Sequence, residues 1–195
     1  MSPDLAAFVR AHTVLARAPI VPEIELHLAT EITPIWQATE TWLAERNVEP
    51  PFWAFAWPGG QALARHVLDH PQTVAGKRVL DFAAGGGLAA IDLNAAVNGV
   101  AVTATGGDVV GAACRWDLIL CGDVCYEAPM TGHILPWLRG LAAQAGVWVA
   151  DPGRAYLPRE GLAAFAEYRV PTTLELEDRT ERVVRLFRMA AIGTA

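Results

Sequence analysis

A chain of 195 residues with 53% hydrophobic and only 18% charged side chains can collapse around a sizeable core, which excludes a disordered or low-complexity protein. Its formal charge of −6 argues against a nucleic-acid partner, because proteins that bind the phosphate backbone carry a basic face. The longest uncharged windows, such as 93–107, are broken by Asn, Thr and Gly, so no membrane span is expected. Cys114, Cys121 and Cys125 are odd in number and lack the spacing of a disulfide framework. With an N-terminus (Met1-Ser2-Pro3-Asp4) that does not read as a secretion signal, they predict reduced thiols in a cytoplasmic protein. Cys121 and Cys125 have no second Cys or His pair nearby, so core packing is expected there and no metal.

Ser2-Pro3-Asp4 reads as a helix start, and Leu5, Phe8, Val9, His12 and Leu15 keep helical spacing up to an Ala18-Pro19 stop. Residues 20–30 alternate in part and carry prolines, predicting an edge strand or extended arm. Thr33-Pro34 opens a second predicted helix with Ile35, Trp36, Thr39, Trp42 and Leu43 on one side. After the Pro50-Pro51 break comes an aromatic cluster, Phe52-Trp53-Ala54-Phe55-Ala56-Trp57, then Pro58-Gly59-Gly60 in front of a helix over 61–69. Such a turn can be packing alone, or a backbone cradle for a ligand.

Residues 79–87, Val-Leu-Asp-Phe-Ala-Ala-Gly-Gly-Gly, read as a buried parallel strand opening through a tight turn into a helix N-terminus. A Gly-rich connection without a ligand reads the same way on this stretch alone. A helix is predicted from Leu88 to Asn98-Gly99, then a strand over 100–105 and another over 116–121. A helix bearing Ile134, Leu135, Trp137, Leu138 and Leu141 leads to a strand over 146–150. A helix over 159–167 precedes two alternating runs, 169–177 and 181–188, joined as a hairpin by Asp178-Arg179-Thr180. The alternation predicts an α/β protein with a mainly parallel sheet closed by an antiparallel hairpin. Asp81, Asp108, Asp123 and Asp151 each end a predicted strand, where ligands of open α/β sheets bind.

Asp81 with Gly85-Gly86-Gly87, the later Asp123-Val124-Cys125-Tyr126 and the closing hairpin resemble a class I (seven-strand, Rossmann-like) S-adenosylmethionine-dependent methyltransferase. The Asp-x-x-Tyr element is typical of its protein-lysine branch. Residues 29–36, 51–61 and Asp151-Pro152-Gly153-Arg154 are similar to the lysine methyltransferases of the electron transfer flavoprotein β-subunit. The resemblance implies S-adenosylmethionine as cofactor and that subunit as protein substrate. It implies that Gly85 and Gly87 pass under the methionine part and that Asp81 bonds toward its amine or orders the loop. It places Asp108 beside the adenine, has Trp57, Gly59 and Gly60 close the pocket, and sets Asp123 and Tyr126 at the entry for the target lysine. Asp123 then orients and captures a cation, since a bare carboxylate would raise the lysine pKa. It further implies an N-terminal helical extension over 1–50 and one methyltransferase domain over 51–195.

The chain departs from the family twice. Ala83 stands where the loop usually has its first glycine. From Asp81 to Asp117 is only 36 positions, too few for the helices and strands the family places there, so one strand and one helix after Ala90 are expected to be missing. The strand so lost would have carried the acid that clamps the cofactor ribose. Other readings are the same chemistry on another protein, such as a ribosomal one, or a catalytically impaired binding protein with a shortened cofactor site.

Overall fold

In a computed structural model the described residues are 3–29, 52–84 and 88–191. The Ser2 cap, the helix expected after Thr33-Pro34, the family-like segment over 30–36, the Pro50-Pro51 break and the loop glycines Gly85, Gly86 and Gly87 lie outside them. The described elements run α1 (Pro3–His12), β1 (Val14–Ala18), β2 (Val21–Leu28), α2 (Pro58–Asp69), β3 (Val79–Phe82), α3 (Leu88–Val97) and β4 (Leu118–Gly122). After these come α4 (Ala128–Leu141), β5 (Gly146–Asp151), β6 (Leu162–Pro171), α5 (Leu174–Glu177) and β7 (Glu181–Met189). They fall into two compact units: Met1–Ala56 with Ala84–Gly107, and Trp57–Ala83 with Asp108–Ala195.

In the first unit, α1 stops at His12 instead of running to Ala18, and β1 pairs antiparallel with β2. Leu15 fits a helical spacing, but Pro19-Ile20 makes the two-residue link that sets Ala18 opposite Val21. A hairpin partner then supplies the hydrogen bonds that a helix would have made internally. Ala6 and Val9 of α1 pack on Ala90 and Leu93 of α3, with Trp53 against them. Two asparagines of α3 hold β2 by its backbone: Asn94 Oδ1 accepts the His27 N–H at 2.7 Å, and Asn98 exchanges two bonds with Glu25. The strand expected over 100–105 does not form. Its alternation is genuine, but a strand needs a ladder neighbour, and none pairs with it among the described residues.

The second unit is a five-stranded sheet in the order β3-β4-β5-β7-β6. β3, β4 and β5 are parallel, while β7 pairs antiparallel with both β5 and β6 and so runs alone against the others. This is a mostly parallel Rossmann-like sheet, and β3 forms its outer strand among the described residues. Ile119, Cys121, Val147 and Val149 turn one way and bury Ile134, Leu138 and Leu141 of α4. The alternate positions face α2, where His66 meets Trp148 edge-on at 5.5 Å and bonds the Tyr168 hydroxyl at 2.9 Å. Cys121 and Cys125 are both free and buried, as core side chains.

The helix expected over 159–167 is instead the start of β6, and the strand expected to continue to Glu177 ends at Pro171. Ala163-Ala164-Phe165-Ala166 favours a helix locally, but the open edge of β7 offers nine paired positions, and tertiary pairing overrides propensity. Pro171 ends the ladder, and a single helical turn, α5, follows before Asp178 closes it in a left-handed conformation at φ 55°.

Ala83, directly after β3, also has a left-handed backbone, φ 60°. This is the position at which the family pattern has glycine, and alanine there carries strain of about 1–2 kcal/mol. Ala83→Gly is therefore expected to raise the unfolding free energy by about 0.5–1 kcal/mol after the entropy cost of glycine. Urea denaturation checks this, and a loss of stability would contradict the strain.

Candidate active site

Three carboxylates stand at the carboxyl ends of adjacent parallel strands: Asp81 is the penultimate residue of β3, Asp123 follows β4 and Asp151 closes β5. Asp123 takes a left-handed conformation, φ 56°, tolerable for a short polar side chain. Its N–H donates to Ala150 O at 3.0 Å, and its side chain turns inward, 8% exposed. Oδ2 accepts the Gly59 N–H at 2.5 Å. The N-terminus of α2 has no side-chain cap of its own, so this carboxylate from β4 satisfies one of its orphan donors.

The Pro58-Gly59-Gly60 turn is bound to β4 by close backbone approach. A Cβ on Gly59 would lie 2.4 Å from Asp123 Oδ2 and 2.7 Å from Ala150 O, and one on Gly122 would lie 2.8 Å from Gly60 N. One donor of the expected backbone cradle is thus already committed to Asp123. Gly60 is exposed, with open space around its Cβ position.

Asp123 Oδ1 accepts two bonds from Arg154, at 3.2 and 2.9 Å. Arg154 also donates to Glu177 Oε1 at 2.5 Å, and its guanidinium lies 5.8 Å from the Trp57 ring. Glu177, 4% exposed, accepts from Arg182 Nε at 3.0 Å, while Arg182 reaches Asp178 at 2.8 Å. One chain of charges therefore links α2, the end of β4, the segment after β5 and the start of β7. Asp151 organises that segment, its Oδ1 accepting the N–H groups of Gly153 and Arg154, while its buried Oδ2 has no partner among the described residues.

Burial pushes the Asp123 pKa up to about 6 against the pull of Arg154 and of the Gly59 N–H, so the group is ionised at neutral pH. Burial also raises Asp151. It works against the Arg154 cation, yet Asp123 and Glu177 hold that group above its ordinary value. Burial takes the Cys125 thiol up to about 12, so it stays protonated.

Of the sequence-predicted residues, Trp57, Gly59, Asp123 and Tyr126 converge around Arg154. Tyr126, 43% exposed, lines a small cavity of about 160 Å³ with Arg154 and Arg182. Asp81 lies one strand away, solvent-exposed yet crowded by protein on its other side, and burial pushes its pKa up to about 6. Asp108 joins a different contact: it accepts the Val110 N–H at 2.8 Å and meets His133 Nε2 at 2.6 Å, both bonds lowering its pKa. Gly85 and Gly87 lie outside the described residues. Arg154, Glu177 and Arg182 had no assigned role in the sequence reading. The Asp-Pro-Gly-Arg motif could have signalled Arg154, whereas nothing local marks Glu177.

The chain is 37% identical over 180 positions to the electron transfer flavoprotein beta subunit lysine methyltransferase of Xenopus laevis, covering 76% of this chain and 70% of that protein. It belongs to this lysine methyltransferase family. Relatives of the same name in Danio rerio and Homo sapiens are each 29% identical, covering 90% and 79% of this chain and 79% and 68% of theirs. No family model and no solved structure matches. As a lysine methyltransferase by family, the protein is an enzyme that draws on a methyl donor. The 180 positions of the frog match contain about 148 residues of this chain, 76% of 195, leaving about 32 where only the relative has residues. The fish match, 90% of this chain over 208 positions, leaves about 32 as well. That is the size of one strand plus one helix with their connections, in agreement with the short interval between Asp81 and Asp117.

Gly59→Ala is expected to cost about 1–3 kcal/mol in urea denaturation, because backbone and a buried carboxylate occupy the space. Gly60→Ala should stay within about 0.5 kcal/mol of wild type; equal effects would contradict the packing role of Gly59. A carboxyl raised to about 6 in the fold contributes stability below its ordinary pKa of about 3.9, and that contribution is lost as pH rises through about 6. Asp81→Asn should therefore raise the unfolding free energy of the cofactor-free protein at pH 7, measured by urea denaturation, by no more than about 1 kcal/mol because water reaches the group. The difference should vanish near pH 4, and a difference that grew on acidification would reverse the assignment.

Proposed function

We propose that the protein transfers a methyl group from S-adenosylmethionine to lysine side chains of the electron transfer flavoprotein β-subunit. The reading is supported by family membership, by the relatives' names, and by acids set at the carboxyl ends of three adjacent parallel strands. The observation that carries it is the 37% identity to a lysine methyltransferase of which this chain spans 70%.

The site fits the amino-acid end of that cofactor. The Asp81 side chain makes no hydrogen bond among the described residues and offers an acceptor for an ammonium group. For the ribose the fit is poorer, because the segment expected to carry its acid is missing. The cofactor supplies an electrophilic methyl group on a sulfonium centre. The chain's own residues hold the rest. Asp123 fixes the start of α2 and the guanidinium of Arg154, and Tyr126 borders the cavity through which an acceptor side chain would enter. The acceptor amine must be neutral and in line with the methyl group. Deprotonating a lysine of pKa near 10.4 at neutral pH costs about 4–5 kcal/mol unless the site lowers that pKa.

The missing positions favour a second reading, a binding protein with an impaired cofactor site. Losing a bidentate contact from a charged group is worth about 1.5–3 kcal/mol, or roughly one to two orders of magnitude in affinity. Incubation with methyl-labelled cofactor and the flavoprotein subunit should label lysines. Asp123→Ala, its fold checked by circular dichroism, should label at least about 100-fold more slowly. Equal labelling would end the assignment of Asp123. No labelling, together with no heat on titrating S-adenosylhomocysteine, would favour the binding protein.

A further inference from the structure

The cavity beside Tyr126 carries two guanidinium groups on its walls, with the carboxylates standing behind them. Its lining is Tyr126, Pro152, Gly153, Arg154, Ala155 and Arg182. Asp123 and Glu177, 8% and 4% exposed, grip Arg154 at 2.9 and 2.5 Å without lining the cavity themselves. We propose that Arg154, with Arg182 beside it, disfavours the charged form of an amine entering this cavity, so that the site takes a free primary amine and not an ammonium ion. The proposal rests on the lysine-methyltransferase reading only in naming that amine as a target lysine.

A methyl acceptor needs its lone pair, yet with an ordinary pKa of about 10.4 only about one amine in 2,500 is unprotonated at pH 7. A bare carboxylate would make this worse, whereas a cation as the nearest charge makes it better. The charged groups around the cavity are Asp123 at the end of β4, Asp151 at the end of β5, Arg154 after it, Glu177 in α5, and Asp178 and Arg182 beside β7. Asp123 is bonded directly to Arg154, and Glu177 to both Arg154 and Arg182, so the two cations stand between these carboxylates and the cavity. Asp178 has a side chain 76% exposed, so water screens it. Asp151 Oδ1 is held by the backbone of its own turn, its Oδ2 is buried without lining the cavity, and the Cys125 thiol stays protonated. The arginines are thus the charged groups that an incoming amine meets. The resident salt bridge also explains how a lysine methyltransferase can keep a buried aspartate at its entry without that aspartate trapping the substrate as a cation.

The test titrates n-butylamine into the cofactor-free protein by chemical-shift mapping between about pH 7 and 9, above the pKa of Asp123. Capture of the free base makes apparent affinity rise about tenfold per pH unit, following the free-base fraction. Capture of the ammonium ion leaves affinity flat. Arg154→Gln should flatten the rise and Arg154→Lys should preserve it. A flat wild-type profile, or no binding at pH 9, overturns the proposal whatever the variants do. Methyl transfer is not used, so the two readings fail separately. A labelling enzyme with a flat amine profile sinks this proposal alone, and a steep profile in a protein that labels no lysine sinks the enzyme reading alone.

Discussion

One buried carboxylate ties the second unit together at its functional edge. Asp123 leaves β4 in a left-handed turn, caps α2 through Gly59 and clamps Arg154, so three chain segments distant in sequence meet on two oxygens. An ion so buried is tolerable only when its lone pairs are occupied, and here donors reach both oxygens. Gly59 and Gly122 make the arrangement possible, since a side chain at either would occupy the space through which helix and strand touch. The strength of this joint comes from desolvated, charge-assisted hydrogen bonds, which are far more sensitive to loss of a partner than surface pairs such as Arg169–Glu181.

The same joint reassigns the chemistry. A free carboxylate at the entry would attract an ammonium ion and keep it protonated. A carboxylate already holding a guanidinium presents its surroundings with a cation instead. The short helix α5 takes part through Glu177, which faces two arginines at once and so couples the closing hairpin to the strand-end acids.

The missing segment has a structural echo. Among the described residues β3 is the outer strand of the sheet, and the alternating run over 100–105 joins no ladder. The helix α3 is instead bound to the N-terminal hairpin, where Asn94 and Asn98 satisfy backbone groups of β2. The frog and fish relatives carry about 32 residues more in the matched region, the size of one strand plus one helix with their connections.

Much of this was legible in the residues alone. The apolar runs before Asp123 and Asp151, and the Pro-Gly-Gly turn before α2, were readable because burial on both sheet faces and the absence of a Cβ leave local marks. So did the helices α3 and α4, through their spacing. The run before Asp81 also forms a strand, but Val79 and Asp81 are exposed on it and not buried as expected. The Ala-rich start of β6 and the strand β1 were misread as helix, since their conformation comes from a neighbouring strand's unpaired backbone and not from their own propensity. The outcome at 100–105 likewise depended on a partner that a one-dimensional pattern does not contain. Aspartates at strand ends could be named from sequence, but which of them would be open and which would be locked could not. Arg154, Glu177 and Arg182 become neighbours of Asp123 only when β5, α5 and β7 are packed, and electrostatic roles follow distance in space, not along the chain.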